Sequence, residues 1–136
     1  MELTVKYLDN VKFAVHTREH ETICDQPKDN GGSDAGMSPP EFLLASLGTC
    51  AGYYAAQYLR TRSLPTEGLE VHVIAEKASG PARLASFQIE VTVPEIEERQ
   101  KEGVMRAVKS CLIHNTLLNA PTIGIVVHAQ GALARG

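Results

Sequence analysis

Three cysteines carry most of the reactive chemistry that this chain offers: Cys24, Cys50 and Cys111. They are too few and too widely spaced for a disulfide scaffold, and the absence of a CxxC pair argues against a structural zinc site. Free cysteines of this kind are either small apolar residues in a core or reactive thiols. The residues themselves leave both interpretations open.

A reactive pair has a well-defined chemistry. Cys50 and Cys111 fall on two predicted helices, and their thiols can form a disulfide if packing brings the Cα atoms within about 7 Å. One thiolate would attack the O–O bond of a peroxide and become a sulfenic acid, which the second thiol converts into a disulfide. An external dithiol would then restore both thiols by exchange.

An attacking thiolate needs nearby positive charge or hydrogen-bond donors that lower its pKa. Lys109 and His114 are close to Cys111 in sequence, whereas Cys50 has no neighbouring cation. The best candidate is Arg18, in a predicted turn near the N-terminus. An exposed arginine without a catalytic role is the alternative.

The elements that must position these residues begin with strands. Alternating apolar residues in segments 3–7 and 11–15 predict a hairpin, with a third strand at 21–25 and a loop at 25–40. Ser38, Pro39 and Glu41 then fit the cap, first position and capping box of a helix over 39–62. That helix is apolar on nearly every face around Cys50, which indicates burial.

In the second half of the chain, predicted strands are again followed by helices. Alternation predicts two antiparallel strands at 69–75 and 87–93, followed by a charged helical stretch at 95–101 that Gly103 interrupts. A second main helix is expected over 104–118, carrying Cys111 on its apolar stripe. A last strand is predicted through three alternating residues: Ile123, Ile125 and Val127.

Together these elements predict an α+β fold with a mainly antiparallel sheet. The 136 residues suit one domain. Two helices that are buried on much of their surface need more cover than one small sheet provides, so we expect a homodimer.

Two motifs resemble the OsmC/Ohr family. Segment 31–50, GGSDAGMSPPEFLLASLGTC, is similar to the family's Gly-rich loop, Ser-Pro, acidic residue, apolar helix and first cysteine. Segment 108–117, VKSCLIHNTL, resembles the second-cysteine region, and segment 17–20 the N-terminal hairpin. The chain looks closest to the shorter, less characterised branch. The resemblance implies a single OsmC-like domain over 1–136 and an intertwined homodimer, with antiparallel sheets wrapped around two long central helices.

The same resemblance implies a thiol-dependent peroxidase that reduces organic hydroperoxides in oxidative-stress defence. Cys50 would attack and Cys111 would resolve, while Arg18 and Glu41 hold the thiolate and each other through charge-assisted hydrogen bonds. The reductant would be an external dithiol of the lipoyl or thioredoxin type, and no cofactor or metal is implied.

Two positions differ from the best-characterised peroxidases of that family. Leu112 follows the second cysteine where they carry proline. Glu41 lies one position closer to the first cysteine than their acidic residue, and one residue turns a helix by about 100°. A pure capping role is therefore the alternative for Glu41.

Other function classes find less support. A net charge of −3, a pI of about 5.9 and scattered charges argue against nucleic-acid binding. No apolar run approaches the roughly 20 residues that span a bilayer, and no secretory signal is visible, so we expect a cytoplasmic protein without membrane contact. The spacing of His16, His20 and Cys24 would suit a metal site on a helix, but the segment reads as strand and turn.

A non-catalytic binding protein is the main alternative. The apolar segment 42–47 can line an interface pocket for a lipid-like molecule as well as a peroxide site. Tyr53, Tyr54 and Tyr58 would form a wall of that pocket or pack in the core. The substitution Cys50→Ser separates the two hypotheses, since it abolishes a peroxidase and leaves a binder nearly unchanged.

Overall fold

The computed structural model describes residues 1–129, in two antiparallel sheets and three α-helices. This confirms the predicted α+β fold class. None of the helices in this part of the chain is long and apolar enough to cross a membrane. The bounds, in chain order, are β1 Thr4–Asp9, β2 Lys12–Thr17, β3 His20–Cys24, a 3₁₀ turn Lys28–Asn30, α1 Pro39–Thr61, β4 Glu70–Ala78, β5 Arg83–Thr92, α2 Glu98–Val108 and α3 Leu112–Leu118.

The N-terminal sheet is a meander in the order β1-β2-β3, and its main contacts are between its own strands. Every residue of β1 is exposed, including the apolar Val5 and Tyr7. Tyr7 packs edge-to-face on Phe13 of β2, with ring centroids 5.5 Å apart. The sheet therefore presents apolar surface that the subunit itself does not cover.

Helix α1 is the centre of the subunit, because α2, α3 and the β4-β5 sheet all pack against it. Small residues on α1, Ala51 and Ala55, are fully buried together with Leu59, and they face Val104 and Val108 of α2. Alternate residues of β4 and β5, together with Val93 directly after β5, add partly buried apolar side chains to this core: Val71, Ile89, Val91 and Val93.

An ordered loop leads into α1. The Asp25 carboxylate is 1% exposed and accepts hydrogen bonds from the backbone N–H groups of Gln26, Ser33 and Ala35. These bonds, chiefly that of Ala35, hold the pKa of Asp25 below its usual value. These hydrogen bonds fix the loop and therefore the position of Ser38 at the start of α1.

The predicted second helix, 104–118, is wrong in one respect: the chain breaks it at residues 109–111 into α2 and α3. The Ser110 amide donates to the Ala107 carbonyl and the Cys111 amide to the Val108 carbonyl, which tightens the turn. Cys111 is consequently the residue that caps α3 and does not lie in the middle of a helix. Gly103 also does not interrupt α2, which begins at Glu98.

The predicted last strand through Ile123, Ile125 and Val127 is also absent from the structure, although all three residues lie within the described range. Their side chains are 82%, 83% and 87% exposed. Alternating apolar residues indicate which side of a strand would be buried. A strand also needs the edge of a neighbouring strand for its backbone hydrogen bonds. The subunit provides this segment with no such edge.

Close packing of α2 on α1 depends on Gly103. A Cβ atom there would collide with the ring and hydroxyl of Tyr58, which the Arg62 guanidinium covers at 3.9 Å from the ring centroid. We expect Gly103→Ala to destabilise the protein by about 1–3 kcal/mol despite the better helix propensity of alanine, because the ring must move. Urea unfolding measures the change.

The matched control is Gly52→Ala on α1, where the nearest atom to an added Cβ is the Val71 Cγ2 at 3.5 Å. This variant meets ordinary van der Waals contact and gains up to about 1 kcal/mol of helix propensity. Equal unfolding free energies for the two variants would contradict the role given to Gly103.

Candidate functional site: a pair of thiols between two helices

The packing of α3 on α1 brings Cys50 and Cys111 together, so that each thiol shifts the pKa of the other. Both cysteines are free thiols in the structure. Cys50 lies in the middle of α1 and is partly exposed, whereas Cys111 is 0% exposed. Cys50 is therefore the more accessible residue of the pair, and Cys111 is screened from solvent.

Cys111 is held by the helix that it caps. Its backbone is extended, with φ −57° and ψ 130°, and its Sγ accepts a hydrogen bond from the His114 amide at 3.4 Å. Burial is the main reason that the pKa of Cys111 lies above its usual value, and the hydrogen bond with Cys50 raises it further. Cys111 is thus the member of the pair that keeps its proton.

The pKa of Cys50 is shifted in the opposite direction. Burial alone would raise its pKa, but hydrogen bonds from the Cys111 thiol and the amides of Ile113 and Leu112 outweigh burial and lower the pKa of Cys50. These are the first amides of α3, which have no acceptor within the helix. The site is therefore asymmetric, with a favoured thiolate at Cys50 and a thiol donor at Cys111.

Leu112 is one of the two positions that differ from the best-characterised peroxidases of the resembling family. A proline here would have no N–H to donate. In this chain the Leu112 amide donates to Cys50, so the difference adds a donor to the site. Sequence reasoning missed the amides of Leu112 and Ile113, because a backbone donor leaves no signature in residue type.

Glu41 completes the capping box at the start of α1. Its Oε1 atom accepts from the Ser38 backbone N–H at 2.9 Å and from the Ser38 hydroxyl at 2.8 Å. These two bonds lower the pKa of Glu41. Cys50 lies nine residues further along α1, about 13 Å along the helix axis. Within the subunit Glu41 therefore serves as a capping residue.

Arg18 lies in the turn between β2 and β3 with φ 54°, and its side chain is exposed. Among residues 1–129 it forms no side-chain hydrogen bond or ion pair, and it does not contribute to the lowered pKa of Cys50. The subunit alone thus does not bring Arg18 and Glu41 to the thiol pair.

The third cysteine belongs to another environment. Cys24 ends β3, where burial and the adjacent Asp25 carboxylate raise its pKa. A thiol of this kind is a poor nucleophile. In the described part of the chain, no three His, Cys, Asp or Glu side chains are placed to hold a metal ion.

Several grooves lie beside the three helices, and two of them differ clearly in character. One, of about 540 Å³, runs over α3 between Tyr54 and Pro121 and includes Leu112 and the polar Asn115. The other, of about 450 Å³, lies between β5 and α2 and is lined mainly by apolar residues: Ile89, Val91, Val93, Val104, Met105 and Val108. Leu112 lines the first groove and its amide also helps to lower the pKa of Cys50.

Comparison with protein families identifies the fold. The family described as OsmC-like protein matches residues 31–126, which include both cysteines. The chain belongs to the OsmC family. No curated protein matches it.

Solved structures agree with the OsmC assignment at the level of fold. An OsmC-like protein from Mycoplasma pneumoniae is 21% identical, with a TM-score of 0.73 over 88% of this chain and 87% of that chain. A protein from Psychrobacter arcticus 273-4, whose name refers to osmotic stress and a detoxification response, is 22% identical, with a TM-score of 0.76 over 84% and 85%. An organic hydroperoxide resistance protein OsmC from Legionella pneumophila is 11% identical, with a TM-score of 0.61 over 87% and 88%.

The Leu112 amide provides a direct test of this geometry. Leu112→Pro removes one donor to Cys50, and proline suits the first position of α3 after an extended Cys111. We expect the pKa of Cys50 to rise, so that iodoacetamide alkylates Cys50 more slowly at neutral pH. Peptide mass spectrometry against time measures the rate.

Leu112→Ala is the control, since it truncates the same side chain and keeps the N–H. Equal alkylation rates in the proline and alanine variants would contradict a donor role for this amide.

Proposed function

We propose that this OsmC-family protein is a thiol-dependent peroxidase that reduces organic hydroperoxides through Cys50 and Cys111. One observation carries the proposal: two free thiols are in hydrogen-bonding reach, and their environments favour a thiolate at the partly exposed sulfur and a thiol at the buried one. Two structural cysteines that only fill a core need neither feature.

The reaction divides into three steps. The Cys50 thiolate attacks the terminal oxygen of the hydroperoxide, the O–O bond breaks, and the alkoxide leaves and takes up a proton as an alcohol. Cys111 then attacks the sulfur of the Cys50 sulfenic acid, and water leaves as the disulfide forms. An external dithiol, of the lipoyl or thioredoxin type, reduces that disulfide by exchange and is itself oxidised.

The environment of each sulfur suits its step. Cys50 is the more accessible of the two, and the Cys111 thiol and the amides of Ile113 and Leu112 lower its pKa. Cys111 is screened from solvent, so peroxide reaches it only after Cys50. The Legionella pneumophila protein of the same fold is named an organic hydroperoxide resistance protein, which supports this substrate class and a role in oxidative-stress defence.

Treatment with cumene hydroperoxide tests the proposal. An equimolar amount added to the reduced protein should cause the loss of two hydrogens by intact mass, and peptide digestion should map a Cys50–Cys111 disulfide. Cys50→Ser should form no bond, Cys111→Ser should stop at a sulfenic acid on Cys50, and Cys24→Ser should behave as the unaltered protein. Thiols that react no faster than free cysteine would exclude the peroxidase, and the binding hypothesis would replace it.

We further propose that the protein functions as a homodimer in which a second copy covers the exposed apolar surface. The face of β1 with Val5 and Tyr7, the apolar groove on α2 and the segment with Ile125 all expose large apolar side chains within one subunit. Burial of such surface is the usual driving force for a stable dimer. A dimer is also the assembly in which Arg18 can reach a thiol pair, because the N-terminal sheet packs mainly on itself within the subunit.

Sedimentation equilibrium and peroxide kinetics test this assembly together. We expect the mass of two subunits, and we expect Arg18→Ala to slow the attack on cumene hydroperoxide while Arg83→Ala, at an exposed arginine of β5, leaves the rate unchanged. A monomer with full activity would contradict the dimer. Equal rates for the two arginine variants would exclude Arg18 from the site.

A further inference from the structure

Two of the grooves beside the helices adjoin each other. The groove of about 540 Å³ over α3 shares Tyr54 and Ser110 with a second groove of about 340 Å³. This second groove lies between the later turns of α1 and the end of α2, and it extends to Arg62. Together the two form one elongated depression, which we call the joined groove. Its size suits a small organic molecule.

The face of α1 that carries Cys50 continues into the joined groove. Tyr54, Gln57 and Thr61 follow Cys50 after four, seven and eleven residues, which is the spacing of one stripe along a helix. All three line the joined groove. On the α3 side Leu112 lines it too, and the Leu112 amide lowers the pKa of Cys50. Both helices therefore connect the groove to the attacking sulfur.

The far end of the joined groove carries a positive charge. The Arg62 Cζ atom lies 3.9 Å from the centroid of the Tyr58 ring, and Nη1 donates to the Thr61 hydroxyl at 3.2 Å. Within residues 1–129 Arg62 forms no ion pair. Its remaining N–H groups are therefore available to an anion. Tyr58 is eight residues beyond Cys50, which is about 12 Å along the helix axis.

A charge at this distance acts on a part of a bound molecule that is remote from the sulfur. Arg62 is accordingly not among the groups that lower the pKa of Cys50. A planar guanidinium binds a carboxylate through two parallel N–H···O bonds. Between the charge and the sulfur, the rings of Tyr54 and Tyr58 provide apolar surface for a hydrocarbon chain.

We propose that the joined groove selects organic hydroperoxides that carry a carboxylate at the far end of an apolar chain, and that Arg62 binds this carboxylate. The inference rests on the peroxidase function proposed above and names its substrate class. The peroxide group lies at Cys50, the chain passes Tyr54 and Tyr58, and the carboxylate accepts hydrogen bonds from Arg62. Such binding raises the occupancy of the site at low substrate concentration and leaves the chemistry at the sulfur unchanged.

Single-turnover oxidation of Cys50 by linoleic acid hydroperoxide and by its methyl ester tests the proposal. The ester keeps the chain and the O–O bond but lacks the charge. We expect the ratio of the two second-order rate constants, acid over ester, to be about tenfold lower in Arg62→Gln than in the unaltered protein. In the unaltered protein, added salt should slow the acid and leave the ester nearly unaffected.

Arg60→Gln is the matched control, because Arg60 is an exposed arginine two residues earlier on α1 that lines neither part of the joined groove. This variant should keep the ratio of the unaltered protein. An unchanged ratio in Arg62→Gln, or the same fall in both arginine variants, would overturn the assignment of Arg62. A rate for the acid that does not respond to salt would overturn it without any substitution.

The corresponding hydroxy acid has no O–O bond and separates this inference from the peroxidase function. Calorimetric titration of the reduced protein should show the same tenfold loss of preference for the acid over its ester in Arg62→Gln. If the hydroperoxides leave Cys50 reduced while the hydroxy acid shows this loss, the peroxidase function fails and the carboxylate site stands. If binding of the hydroxy acid does not depend on Arg62, the carboxylate site fails, whatever the rate of the peroxide reaction.

Discussion

The break between α2 and α3 is the feature on which the site depends. In a continuous helix the amides of Leu112 and Ile113 would donate to carbonyl groups one turn earlier. The tight turn at Ser110 and the extended backbone of Cys111 start a new helix instead, and its first amides are free to bond outside the helix. These amides lower the pKa of Cys50 on α1. The local change in backbone direction therefore places hydrogen-bond donors where they stabilise a thiolate.

The same break separates the roles of the two cysteines. As a cap, Cys111 is buried and accepts from the His114 amide, while its thiol donates toward Cys50. Both sulfur atoms thus share one small network, in which the hydrogen bond between the thiols lowers the pKa of Cys50 and raises that of Cys111, whereas the Ile113 amide lowers both. The buried core between α1 and α2 holds this network in place, because small residues such as Ala51 and Gly103 allow the two helices to approach closely.

Much of the scaffold follows from residue patterns. Ser38, Pro39 and Glu41 predict the start of α1 because capping is local chemistry, and the structure shows that capping box. Alternation likewise predicts the strands of both sheets, since each has one apolar side. The resemblance to the family motifs implies that Cys50 and Cys111 act as a pair, and helix packing allows it.

The parts that sequence could not provide depend on distant partners or on the backbone. The apolar spacing of Val104, Val108 and Cys111 fits a single continuous helix. The pattern therefore gives no sign that the chain breaks between α2 and α3. The strand predicted around Ile125 needs an edge that the subunit lacks. The contribution of Leu112 comes from its N–H, which every residue except proline carries.

A site-resolved titration of the two sulfur atoms tests the central claim most directly. Protein labelled with ¹³C at the cysteine Cβ atoms, kept fully reduced, would be followed by NMR from acid to alkaline pH. The structure predicts that Cys50 ionises first, with a pKa below the usual value of a thiol, and that the pKa of Cys111 lies above that value. If Cys111 ionised first, or if both titrated as unperturbed thiols, the assignment of Cys50 as the attacking thiolate would be contradicted.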